Sequence, residues 1–253
     1  MKYEEIIIDK EKQIVRVTTQ DERFYRKIVD GKTVWIPSVT WIAGYLPKGT
    51  AFYKWLAQHG WDESQALMEE AGERGTKIHR AIEMLLLGKT INFDTVVDDR
   101  DLTADEWEAV MSFVAWFSTA NIEISNTEYT VFHPEDKYAG TIDLICNING
   151  YPYIIDFKSS QDIWPSHKIQ LSAYRHALGN KHKIAILQVG YRRNKAKYKF
   201  TEIDPCYDLF NAAYTIWQSE NDGVQPSQKD YPLSLTLKQG EPNESTKKRA
   251  KNV

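Results

Sequence analysis

The chain has 253 residues, 42% of them hydrophobic, with a formal net charge of −3. That is enough chain for one sizeable core with a small elaboration, in the composition of an ordinary globular protein. The weakly acidic balance gives no global pull toward a polyanion, no apolar run reaches the length of a membrane span, and two cysteines, Cys146 and Cys206, do not make a disulfide framework.

Residues 6–8, 14–18, 24–29 and 33–36 read as short strands with a turn at Gly31, an N-terminal β-meander whose expected role is packing. Pro37-Ser-Val-Thr40 opens a helical region, with Ser38 or Thr40 as the N-cap. Trp41, Tyr45, Phe52, Tyr53, Trp55 and Trp61 crowd this region, with Lys48 and Lys54 among them.

Residues 62–88 read as a long helix that Gly88 ends. Leu67, Ala71, Ile78, Ile82 and Leu85 or Leu86 form an apolar stripe at helical spacing. His79 and Glu83, four apart, share a face. Residues 89–101 read as a polar connection. Thr103-Ala-Asp-Glu106 is a capping box, starting a helix through Trp107, Val110, Met111, Val114 and Phe117 to about Ala120. Residues 122–132 then read as a strand. Glu128 stands inside it, either on the solvated face of an edge strand or set there for a role.

Residues 141–148 and 151–158 are rich in β-branched and aromatic residues, and Asn149-Gly150 separates them. Asn-Gly between two such runs predicts a hairpin with a two-residue type I′ turn, because both turn residues need φ > 0. The turn sets the register. If Ile148 pairs with Tyr151, Asp143 lies opposite Asp156, and Lys158 shares the face of Asp156. Two carboxylates about 5 Å apart repel each other. A divalent cation between them reverses the sign of that interaction, and hard oxygen ligands suit Mg²⁺ or Mn²⁺.

Pro165 suits the first turn of a helix that carries Gln170 and Tyr174 on one face and ends near Gly179-Asn180. Residues 183–191 form an apolar strand. Arg192, Arg193, Lys195, Lys197 and Lys199 form a basic hairpin tip leading into another strand. Asp204-Pro205 caps a final helix through Trp217, and from about residue 221 the chain is polar and ends in Lys247-Lys-Arg-Ala-Lys251. The expected layout is a meander and aromatic helical region over 1–60, a core over 61–220 and a flexible tail over 221–253. From residue 103 to 191 the order is helix, three strands, helix, strand, which implies a mixed sheet with helices on its faces, an α/β (α+β) fold with an αβββαβ core.

Gly140-Thr-Ile-Asp143 followed by Ile154-Ile-Asp-Phe-Lys-Ser159 resembles the paired active-site motif of the PD-(D/E)xK nuclease superfamily. Gly75-Thr-Lys-Ile-His79 resembles the Gly-x-x-x-His motif of RecB-type nucleases, and Gln170-Leu-Ser-Ala-Tyr174 their Gln-x-x-x-Tyr motif. The four pieces occur in order over roughly residues 70–200. The resemblance implies a restriction-endonuclease-like core and a DNA exonuclease dependent on Mg²⁺ or Mn²⁺, of the bacterial or phage type used in recombination, replication or repair.

On that resemblance Asp143, Asp156 and the Phe157 carbonyl hold the metal, with His79 as a ligand or organiser. Lys158 positions or deprotonates a water, or neutralises transition-state charge. Gln170 and Tyr174 orient the lysine side or touch the DNA backbone, Glu128 is a further acidic candidate, and Ser159 and Ser160 hold a phosphate or merely turn the chain. Arg192, Arg193, Lys195, Lys197 and Lys199 would contact DNA. The aromatics of residues 41–61 either fill the core or stack the bases of a single strand. Two cysteines leave no room for the four-cysteine iron–sulfur cluster of some relatives. The start, Met1-Lys-Tyr-Glu-Glu5, is not a signal peptide, so the expected compartment is cytoplasmic, that of the host for a phage protein. Expected partners are DNA, single-stranded or as duplex ends, and a recombination or single-strand-binding protein, without a membrane. The rival readings are a sequence- or structure-specific endonuclease on the same core and a catalytically silent DNA-binding module.

Overall fold

In the computed structural model of the chain, residues 4–10, 13–19, 22–135, 137–221 and 223–225 are described. They form a mixed α/β protein with six helices and two sheets. The N-terminal strands β1 (Glu4–Asp9), β2 (Ile14–Thr18), β3 (Arg23–Val29) and β4 (Lys32–Pro37) make the expected antiparallel meander. The expected tail lies outside the described residues beyond position 225. Among the described residues no helix is long and apolar enough to cross a membrane.

Helix α1 (Val39–Gly44) starts where the Ser38 hydroxyl accepts the Trp41 N–H at 3.1 Å, which selects Ser38 as the cap. Trp41 packs edge-on against Phe24 and Trp217, so it belongs to the core. Helix α2 (Thr50–His59) has no buried residue, and Tyr53 on it and Trp61 beyond it are exposed.

Helix α3 (Trp61–Leu86) has 26 residues, a length of about 39 Å. The expected apolar stripe holds only in its second half. Ile78 and Ile82 are buried and Leu85 and Leu86 half-buried, whereas Leu67 and Ala71 are exposed. In its first half only Ser64 is buried. The connection after α3 is not the polar link its composition suggests. Ile91, Val97 and Leu102 are buried with Ala81 and Val110. It is tied down by Glu106, which is 1% exposed and takes both Arg100 nitrogens (3.0 and 2.9 Å) and the Thr103 N–H (2.8 Å). The buried Lys77 lies 3.9 Å from Glu106 and donates to the Asp101 carbonyl. The capping box thus starts α4 (Ala104–Phe117) as expected and also closes a buried charge network.

The second sheet has the order β5 (Ile122–Phe132), β6 (Ala139–Ile148), β7 (Tyr151–Lys158), β8 (Lys183–Val189), β9 (Tyr198–Ile203). All pairs are antiparallel except β7–β8, which are parallel and joined by α5 (Pro165–Ala177). The sheet is mixed, as the order of elements predicts. Ile154, Ile184 and Ile186 pack with Ile169, Leu171 and Tyr174 of α5 on one face; Ile155, Phe157, Ala185 and Leu187 pack with Ile78 and Phe113 on the other. The last helix, α6 (Tyr207–Asn221), begins later and runs further than Asp204-Pro205 suggests, since the Cys206 carbonyl accepts the first amides, those of Leu209 and Phe210.

Candidate active site

Asn149 (φ 51°) and Gly150 (φ 83°) make the expected left-handed turn, and Ile148 pairs with Tyr151. The ladder runs back to Leu144–Ile155 and stops there. One step further stand Asp143 and Asp156. Where backbone pairing ends, the Asp143 carboxylate accepts the Phe157 N–H at 2.6 Å.

On the other side of β6 the register puts Glu128 opposite Asp143, between the pairs Thr127–Leu144 and Tyr129–Ile142. It does so because the register shifts between Ile124 and Asn126, leaving Ser125 as an extra residue. Without that bulge Thr127 would face Asp143, since a one-residue slip moves every following side chain. Glu128 also has φ 47°, a conformation that costs a non-glycine residue of the order of 1 kcal/mol. The bulge and the strained backbone together turn an edge-strand glutamate into the site. Three carboxylates from three adjacent strands therefore stand in one row.

Helix α3 adds His79 from outside the sheet. His79, Glu128 and Asp143 each present a ligand atom, all within 4.8 Å of one another. His79 Nδ1 lies 3.3 Å from Asp143 Oδ1, and the imidazole packs edge-on against the Phe157 ring at 5.8 Å. Asp156 is held from α5 and from its own strand. Its Oδ1 accepts from Gln170 Nε2 at 3.1 Å, and the same amide donates to the Tyr174 hydroxyl at 3.1 Å. Lys158 Nζ lies 2.6 Å from Asp156 Oδ2, so the lysine is paired with the second oxygen of this carboxylate.

Burial pulls the His79 imidazole down, but the Asp143 charge and hydrogen bond outweigh it and hold His79 above its ordinary value. Burial likewise raises Asp143, and His79, Lys158 and the Phe157 N–H bring it below the usual carboxylate value. Asp156 is raised, because burial outweighs the pull of Lys158. Lys158 is lowered by burial and raised more by Asp156 and Asp143, so it stays charged. Burial, with the Asp143 charge, pushes Glu128 up to about 7.

These groups line a cleft of about 710 Å³. Ser159 lies on it beside Gly75 of α3. Gly140 has a steric reason to be glycine. A Cβ there would lie 2.3 Å from Tyr174 Cε1, so the ring that holds Gln170 can cross β6 only over a bare backbone.

The five expected basic residues after β8 do not line this cleft. Arg192 pairs with Asp105 (2.6 Å), Arg193 with Asp162 (2.7 Å) and Lys197 with Glu108 (3.2 Å), while Lys199 sits over the Tyr191 ring. Sequence reasoning missed other lining residues. The meander, expected only to pack, contributes Arg16, Arg23 and Tyr25. Helix α5 contributes His167, whose Nδ1 accepts the Trp164 N–H at 3.3 Å and which burial, aided by Lys158, pulls down to about 3. His167 is therefore neutral, with its proton on Nε2. The strand periodicity of residues 14–18 and 24–29 places Arg16 and Tyr25, but only the pairing of the two sheets shows which face meets the cleft. No family model matches the chain, and no curated protein matches it at a significant level.

Proposed function

We propose that the chain is a divalent-metal-dependent deoxyribonuclease on a restriction-endonuclease-like core, a RecB-like exonuclease acting on DNA. The observation that carries the reading is the group His79, Glu128 and Asp143, whose ligand atoms all lie within 4.8 Å of one another, in one row with Asp156 and its Lys158. Glu128 and Asp143 carry like charges held close together, and a divalent cation between them reverses the sign of that interaction. The order α4-β5-β6-β7-α5-β8 supports the αβββαβ assignment.

The donor set of carboxylate oxygens with one imidazole fits Mg²⁺ or Mn²⁺. His79, Glu128, Asp143 and Asp156 would hold the ion, with the Phe157 carbonyl as the further oxygen that the motif resemblance adds. Once bound, the ion polarises the scissile phosphate and makes water a better nucleophile near neutral pH. Lys158 is held protonated by Asp156, which suits it to neutralise charge on the phosphate rather than to act as a base. Gln170 fixes Asp156, and Tyr174 fixes Gln170, so both are positioning residues. Ser159 and the neutral His167 offer donors toward the phosphate from the cleft wall. Among the described residues, Lys195 and Lys199 are the hairpin cations left for DNA without first breaking an ion pair. The setting this implies is the cytoplasm, with DNA ends and a recombination or single-strand-binding protein as partners.

The test is digestion of end-labelled single-stranded, linear duplex and circular DNA with Mg²⁺, Mn²⁺ or EDTA. The proposal expects linear DNA to be shortened from its ends with either metal, circles to survive and EDTA to stop the reaction. Cut circles would favour an endonuclease on the same core. Binding without cleavage would favour the silent module.

A further inference from the structure

The cleft has a second wall, and it is basic. On the meander, Ile6 pairs with Arg16 and Arg16 with Tyr25 across β1, β2 and β3, and Arg23 is two residues from Tyr25. These side chains therefore share one face of the sheet. All four line the cleft opposite the carboxylate row. The wall is anchored at the site. The Tyr25 hydroxyl hydrogen-bonds the Thr141 hydroxyl at 3.0 Å, two residues before Asp143, and Ser38 bridges to Ala139.

The cations of the cleft divide in two. Arg80 is held by Glu83 at 2.8 Å and Lys158 by Asp156 at 2.6 Å. Arg16 and Arg23 have no carboxylate within ion-pair distance among the described residues, and Arg16 Nε is buried without a hydrogen-bond partner. The Arg16 charge reaches Glu128, so it stands near the metal row without being spent on it. A buried guanidinium N–H with no acceptor calls for one from outside, and an arginine fork matches phosphate oxygens.

The geometry points to Arg16 and Arg23 as a phosphate clamp, in which the N-terminal sheet grips the backbone of the strand whose scissile phosphate lies over Asp143 and Asp156. This rests on the nuclease reading for its substrate. It assigns the backbone contact beside the carboxylate row to the meander, whereas Arg192, Arg193 and Lys197 of the hairpin after β8 are held in ion pairs. Contacts of this kind position a strand without reading its sequence.

The test is binding of a fluorescent single-stranded oligonucleotide in EDTA across a sodium chloride series, read by anisotropy. The full chain is compared with R16Q/R23Q, R16K/R23K and Arg23→Gln alone, all checked by circular dichroism. For R16Q/R23Q the clamp predicts affinity weaker by about 10-fold or more at low salt. It also predicts a log–log slope flatter by about 1.4, at roughly 0.7 for each lost phosphate contact. R16K/R23K keeps the slope. Should the double glutamine variant not fold, Arg23→Gln alone carries the test with about half the change in slope. Folded variants with the parent's slope and affinity, or a parent that does not bind the oligonucleotide, would overturn the clamp. Metal-dependent cleavage with an unchanged slope removes the clamp and leaves the nuclease reading. A clamp-dependent slope in a protein that does not cleave removes the nuclease reading and leaves a phosphate-binding cleft.

Discussion

Asp143 and Asp156 are chemically the same group on neighbouring strands, yet the fold treats them oppositely. Asp143 gains His79, Lys158 and the Phe157 N–H and is held below its ordinary value; Asp156 gains burial first and is held above it. Glu128, pushed up to about 7, is the third of the row and the most testable. Its folded value lies above its ordinary 4.5, so between the two the folded protein holds more protons than the unfolded chain. Without metal, stability should therefore fall as pH rises from about 4.5 to 7. Glu128→Gln should flatten that fall without removing it, since Asp156 is shifted the same way. Thermal midpoints in EDTA across this range check it, and parallel curves for the two proteins would contradict it. His79→Ala should weaken metal-supported cleavage by about 10-fold or more while the helix persists, because Ile78 and Ile82 carry its packing. An unchanged metal titration would remove His79 from the site. Gly140→Ala should cost about 1–3 kcal/mol and lower cleavage as well, because the Tyr174 ring must move and releases Gln170. A variant with parent stability and activity would mean that the ring does not hold the site.

Local rules suffice for much of the element scale. Asn149-Gly150 sets the hairpin, Ser38 and Thr103 set two helix starts, and Pro165 sets a third. What the sequence hides are the features that depend on a partner. The bulge at Ser125 has no composition signal, yet it decides that Glu128 and not Thr127 faces Asp143. The stripe on α3 is continuous in sequence, but only the half that meets α4 and the sheet is buried. The five hairpin cations read as an open basic tip because Asp105, Glu108 and Asp162, which pair with three of them, lie far away in the chain. The connection after α3 carries the clearest energetic prediction. Glu106→Ala would leave Lys77 buried without its counter-charge and should cost about 3–5 kcal/mol in urea unfolding. A loss below about 1 kcal/mol would mean that the network adds nothing.

At the scale of the whole molecule, two sheets meet along one cleft. The mixed sheet supplies the acidic row and Lys158, helix α3 supplies His79, and the meander supplies Arg16 and Arg23. A chain with a net charge of −3 can bind a polyanion only if its positive groups are concentrated where the strand lies, and the cleft gathers Arg16, Arg23, Arg80 and Lys158, of which Arg80 and Lys158 are held by carboxylates. The central claim is that this row, charged by a divalent ion and completed by Lys158, hydrolyses DNA. The measurement that tests it most directly is cleavage of end-labelled linear DNA in Mg²⁺ and in EDTA by the parent chain and by Asp143→Ala, Asp156→Ala and Lys158→Ala, with folding followed by circular dichroism. The account predicts Mg²⁺-dependent cleavage by the parent and a loss of about 100-fold or more in each folded variant. Cleavage at the parent rate by any of the three, or none by the parent, would contradict it.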